Sequence, residues 1–123
     1  MYTLRVEMNF SSAHQLRQYK GRCENLHGHS WKVQVSVTAQ RLNEIGLAMD
    51  FTELKRITNE IVGPLDHTCL NSLAPFTDIN PSSENIARWI FTSLKDRLTG
   101  YEVKLKSVTV WESDTASATY TEE

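Results

Sequence analysis

Four histidines and two cysteines, with a few carboxylates, carry most of the chemistry open to this 123-residue chain. His27 and His29 flank Gly28. On an extended backbone that spacing puts both imidazoles on one face, close enough to share an ion. They carry the parity of the apolar residues Trp31, Val33 and Val35 that follow. His14 continues the even apolar series Leu4, Val6, Met8 and Phe10 of the preceding strand. Three imidazoles on an apolar wall each bring a donor and an acceptor that burial leaves to be satisfied. A lone histidine there is more often a hydrogen-bonded core residue, but a divalent cation would satisfy all three at once. Three neutral nitrogens with one position open are the donor set of a catalytic zinc, and they also suit other late first-row metals.

Cys23 stands four residues before His27, and two roles fit it equally. It can close the site as a fourth ligand. It can also stay unligated beside the metal, whose charge favours a thiolate able to act as base or nucleophile. Glu112 shares the parity of Val108 and Val110, which aims a carboxylate at an apolar face, where an unpaired charge is unfavourable; a strand-end glutamate turned to water is the plain alternative. Arg17, Lys20 and Arg22 form a basic lip before Cys23, or simply a solvated loop. Cys69, between Thr68 and Leu70, reads as a packing residue.

The elements that must position these groups follow from periodicity. Tyr2 to Phe10 alternates apolar and polar residues, a half-buried strand. Residues 15–28 break the pattern. Ser30 to Ala39 alternates again and gives a second strand. Leu54, Ile57 and Ile61 recur at helical spacing until Gly63-Pro64. Ser82 or Ser83 can cap a second helix with Ile86, Ile90, Leu94 and Leu98 on one stripe. Tyr101, Val103 and Leu105 then share one parity and Val108 and Val110 the other, which predicts a bulge near Lys106-Ser107. Ala116 to Tyr120 is a short last strand. The order β-β-α-α-β-β predicts an α+β domain over residues 1–123, a four-stranded antiparallel sheet with two helices on one face. Its open edges predict oligomers joined edge to edge.

Hydrophobic residues make up 40% of the chain and charged ones 23%, a globular composition. Thirteen basic against fifteen acidic side chains leave a formal charge of −2, which argues against nucleic acid as a partner. No apolar run approaches the roughly 18 residues of a membrane span. Few cysteines and no signal-like N-terminus make the cytoplasm the expected location.

Six segments, in order, resemble the 6-pyruvoyltetrahydropterin synthase family, most closely its bacterial 6-carboxytetrahydropterin synthase branch. They are Phe10 to His14, Cys23 to His29, Met49-Asp50-Phe51, Leu65-Asp66-His67, Asn80 to Asn85 and Val110-Trp111-Glu112. The resemblance implies the tunnelling fold, in which sheets of several subunits join into a barrel, commonly a hexamer of two stacked trimers. It implies Zn2+ on His14, His27 and His29 with Cys23 free for proton transfer. Asp66 and His67 would complete the acid-base set from a neighbouring subunit. Glu112 would anchor the pterin ring, with Ser82 and Ser83 in contact with it. The implied reaction converts 7,8-dihydroneopterin triphosphate to 6-carboxy-5,6,7,8-tetrahydropterin, a queuosine precursor, with loss of triphosphate and acetaldehyde. Glu24 leaves a second product open, because a related type III branch uses a glutamate there to form 6-hydroxymethyl-7,8-dihydropterin for folate synthesis. A non-catalytic zinc- or pterin-binding module is the remaining alternative.

Overall fold

The computed structural model describes residues 1–21 and 24–122. Arg22, Cys23 and Glu123, and with them the expectations placed on Arg22 and Cys23, lie outside the described residues.

Two long strands make the centre. β1 (Tyr2–His14) and β2 (His27–Ala39) pair antiparallel over their whole length, from Tyr2 opposite Ala39 to His14 opposite His27. β1 therefore runs far enough to include His14, and β2 begins early enough to include both His27 and His29. β4 (Lys104–Ser113) pairs with the other side of β2, and β5 (Ala116–Tyr120) closes that edge. The expected bulge is present. Ser107 faces Ser36 and Leu105 faces Val37, so Lys106 is the extra residue, and both parities of apolar side chain reach the same face.

The sheet differs from the expected four antiparallel strands. It has five, in the order β3-β1-β2-β4-β5, and the edge strand β3 (Thr68–Cys69) runs parallel to β1. Two residues carry no readable alternation, so nothing in the sequence marks this strand. Its position is set by neighbouring polar bonds. The His67 amide donates to the Ser11 carbonyl, and the Ser11 amide donates to Asp66 Oδ1 at 2.8 Å.

Both helices lie where the spacing predicts. α1 (Phe51–Val62) is capped by Asp50, whose Oδ1 accepts from the Thr52 amide. α2 (Ser83–Arg97) is capped by Ser82, whose Oγ accepts from the Asn85 amide at 3.2 Å. Their apolar stripes, Leu54, Ile57 and Ile61 on α1 and Ile86, Ile90 and Leu94 on α2, bury against the Val6, Trp31, Val33, Val35, Val108 and Val110 face of the sheet. Burial of one such side chain contributes roughly 1.5–3 kcal/mol. The core is continuous under β1, β2 and β4, which fixes the strand ends where the histidines stand. No helix is long and apolar enough to cross a membrane among the described residues.

Candidate metal centre

The register that builds the core also collects the chemistry. His14 faces His27 directly across β1 and β2, and Ser12 faces His29, so the three imidazoles fall on the helix-covered side of the sheet at its end. Ring centroids are 4.7 Å apart for His14–His27 and His27–His29, and 5.1 Å for His14–His29, all edge to face. Glu112 joins them from the end of β4. One donor atom from each of His14, His27, His29 and Glu112 lies within 4.8 Å of the others.

Trp31 is the floor of this group. Its ring is fully buried and meets His14 at 4.9 Å and His29 at 5.3 Å between centroids. Phe10 stacks with the Trp31 ring at 5.7 Å between centroids, and Trp31 Nε1 donates to the Ser12 carbonyl at 3.1 Å. A rigid aromatic base limits how far the imidazoles above it can tilt.

Two backbone carbonyls set the rings. His14 Nδ1 donates to the Pro81 carbonyl at 2.7 Å, and His27 Nδ1 donates to the Asn25 carbonyl at 2.7 Å. In a neutral imidazole this leaves Nε2 unprotonated and able to ligate. His14 Nε2 and His29 Nε2 are buried, and neither has a hydrogen-bond partner among the described residues. Glu112 Oε1 comes to 3.3 Å from the first and 2.9 Å from the second, but without hydrogen-bond geometry. The bare Nε2 of His14 beside a carboxylate oxygen is a repulsive arrangement that a cation would relieve, and His29 Nε2 is left without a partner in the same place. The donor set therefore fits a divalent metal, with His14, His27 and His29 as nitrogen donors and Glu112 in reach of the fourth position. Burial pushes the His29 pKa below the ordinary value of 6.5, the Glu112 charge opposing and the other two rings assisting. The ring is thus held neutral, the form that binds a metal.

The other site residues are spread more widely. Glu24 Oε1 accepts from the Leu16 amide at 3.1 Å and lies 3.9 Å from His27 Nε2, on the rim of the group. Asp66 and His67, at the β1 edge, are not among its four donors and are joined to each other by a 2.9 Å contact from His67 Nδ1 to Asp66 Oδ2. The Ser11 amide first, and the His67 ring after it, hold the Asp66 carboxyl below its usual range. The His67 side chain is 82% exposed and its backbone takes a left-handed φ of 55°, so the ring is presented outward. Ser82 is occupied as the α2 cap and Ser83 is the helix's first residue. Cys69 belongs to β3 and is a free thiol.

Arg17 departs from the basic lip. Its guanidinium donates to the carbonyls of Phe76 and Ile79, so it fastens two loops together and does not face an anion. Two functional groups left no trace in the residue types, the Pro81 and Asn25 carbonyls. A main-chain oxygen has no letter in the sequence; the one available hint was Asn80-Pro81 immediately before the α2 cap.

Residues 3–123 match the model of one family, described as 6-pyruvoyl tetrahydropterin synthase. The chain belongs to that family. Its members are tetrahydropterin synthases, which are lyases, and the chain is accordingly an enzyme rather than a passive binding module. It is 39% identical to the 6-carboxy-5,6,7,8-tetrahydropterin synthase of Synechocystis sp., over 98% of this chain and 93% of that one. It is 36% identical to the dihydroneopterin monophosphate aldolase of Pyrococcus furiosus, over 86% of this chain and 85% of that one. The fold matches the 6-pyruvoyl tetrahydropterin synthase of Caenorhabditis elegans with a TM-score of 0.84 and 24% identity, over 99% of this chain and 96% of that one.

Proposed function

We propose that this family member is a zinc-dependent lyase that converts 7,8-dihydroneopterin triphosphate and one water to 6-carboxy-5,6,7,8-tetrahydropterin, releasing triphosphate and acetaldehyde. The observation that carries the reading is the convergence of His14, His27 and His29, with two buried Nε2 atoms that have no hydrogen-bond partner among the described residues. These three residues would hold the metal. When bound, zinc supplies a Lewis acid that polarises the side-chain oxygens of the substrate and makes the neighbouring carbon-bound protons removable. Cys23 accepts such a proton as thiolate. His67 moves a proton to or from the substrate, and Asp66 fixes its tautomer through Nδ1. Glu112 accepts the paired N–H donors of the pterin edge, a charge-assisted fork, and the segment at Ser82 and Ser83 borders the ring.

Asp66 and His67 are not among the four converging donors and the His67 side chain is exposed, which supports a site completed by another copy. Subunits joined along the β3 and β5 edges into a barrel, two trimers to a hexamer, would supply it.

A second reading has its own observation. Glu24 is 3.9 Å from His27 Nε2, and a 36% identical relative is named an aldolase, which favours an enzyme that uses Glu24 as acid and base and forms 6-hydroxymethyl-7,8-dihydropterin. The deciding experiment incubates the zinc-loaded protein with 7,8-dihydroneopterin triphosphate and, separately, with the monophosphate, and identifies the products by mass spectrometry. The lyase reading expects the carboxy product from the triphosphate, lost in Cys23→Ala and retained in Glu24→Ala. A hydroxymethyl product lost in Glu24→Ala instead establishes the aldolase.

A further inference from the structure

We infer that Asn80 is a positioning residue for the metal centre, acting on His14 through the carbonyl of Pro81. The inference rests on the metal reading above and adds a residue to it. Residues 76–82 contain no helix or strand, so nothing regular holds the Pro81 carbonyl in place. Asn80 supplies the missing support. Its Oδ1 accepts from the Arg17 amide at 2.7 Å and its Nδ2 donates to the Arg17 carbonyl at 3.0 Å. A primary amide is the side-chain group that offers a donor and an acceptor side by side, so one asparagine imitates a strand neighbour and satisfies both main-chain groups of Arg17.

The bonds form a closed ring. His14 reaches Pro81 through Nδ1, Pro81 is joined covalently to Asn80, Asn80 grips Arg17, and three residues of chain lead from Arg17 back to His14. The Arg17 guanidinium reinforces the far side by donating to Phe76 and Ile79. Asn85, in the first turn of α2, donates Nδ2 to the Asn80 carbonyl at 2.9 Å. The Pro81 carbonyl is therefore fixed relative to the backbone of the residue it orients. Loss of the Asn80 arms would free it to turn, and His14 would no longer be committed to the tautomer that leaves Nε2 bare.

The fold supplies a matched control. Asn71 makes the same kind of clamp one step along, with Oδ1 accepting from the Gln15 amide and Nδ2 donating to the Gln15 carbonyl, both at 2.9 Å. It does not adjoin Pro81. Asn71→Ala and Asn80→Ala thus each remove two amide bonds, but only the second touches the carbonyl on His14.

The test measures three quantities in wild type, Asn71→Ala and Asn80→Ala: Tm, the His14 tautomer from 15N-1H long-range spectra of metal-free protein, and zinc affinity by chelator competition. Both variants are expected to lose similar Tm. Only Asn80→Ala should mix the His14 tautomers and weaken zinc about 10- to 100-fold. An unchanged tautomer in Asn80→Ala, or equal zinc losses in the two variants, overturns the inference. Should Asn80→Ala fail to fold, Asn85→Ala removes only the brace on the Asn80 carbonyl and is expected to give the same signature in smaller measure; unchanged tautomer and affinity there overturn it. Failure of the wild type to bind zinc would defeat the metal reading instead, and the tautomer comparison would still decide the role of Asn80.

Discussion

Glu112→Gln separates a pterin anchor from a metal ligand, because it keeps the shape and removes the charge. In the metal-free protein the carboxylate stands 2.9 Å from His29 Nε2, with the histidine side chain 24% and the glutamate side chain 36% exposed. Unit charges at that distance interact by roughly 1.4 kcal/mol in water and by about 6 kcal/mol at an effective dielectric near 20. The part-exposed carboxylate places the pair near the watery end, and its charge favours His29 protonation against the effect of burial. Burial already lowers the His29 pKa and Glu112 opposes it, so removing the charge must lower it further. The expected result is a lower His29 midpoint, read from ring proton shifts in an NMR titration. At pH 8 proton competition is absent, and zinc affinity should stay within a few-fold of wild type if three histidines hold the ion. Binding of 7,8-dihydroneopterin should weaken roughly 10- to 100-fold, the worth of a charge-assisted hydrogen-bonded pair. A 10- to 100-fold loss of zinc at pH 8 with pterin binding intact would refute this reasoning and make Glu112 the fourth ligand of a closed site.

Stability of the metal-free protein should rise with pH across the histidine range. His29 has a folded pKa below 6.5, so the unfolded chain binds more protons and its contribution is lost as pH falls below about 6.5; Asp66, also depressed, adds a loss at more acid pH. Denaturant melts at pH 8 and 5.5 check the sign, and His29→Gln should flatten the upper part of the profile. Deletion of Lys106 should leave Tm and Glu112 chemistry near wild type, because Ser107 and Leu105 already face consecutive residues of β2; a collapse in Tm would show that the bulge is needed. Trp31→Phe should cost about 2 kcal/mol by leaving the Ser12 carbonyl without its donor, seen as a lower Tm, and should weaken zinc by loosening the floor under His14 and His29.

Alternation made β1, β2 and β4 legible because each buries one face against helices and wets the other, and the same parity that marks Val33 and Val35 places His27 and His29. The break in parity at Lys106 was legible for the same reason. β3 was not, since two residues have no period; its place comes from Asp66 and His67 bonding to Ser11, the first of them 55 residues distant in the chain. Arg17 misled because a cation in a loop looks the same whether it meets an anion or two carbonyls. Pro81 and Asn25 were invisible as ligand-orienting groups because they act through main-chain oxygen.

The strand pair works as a ruler with a two-residue step, and the candidate centre depends on that step being kept. His14 stands opposite His27, and His29 is one step along the same face; Glu112 reaches them because Val110 pairs with Val33 and Trp111 with Lys32. A slip of one residue between β1 and β2 would turn His14 and its partners to opposite sides of the sheet. The same slip would drive Trp31, Val33 and Val35 out of the core, at a cost far above anything the polar group could offset. The apolar residues thus set the register, and the imidazoles converge as its consequence. The last part of the geometry, which nitrogen of His14 and of His27 faces inward, lies beyond the register's control. For His14 it falls to Asn80, Pro81 and Arg17 and for His27 to Asn25, all in loops.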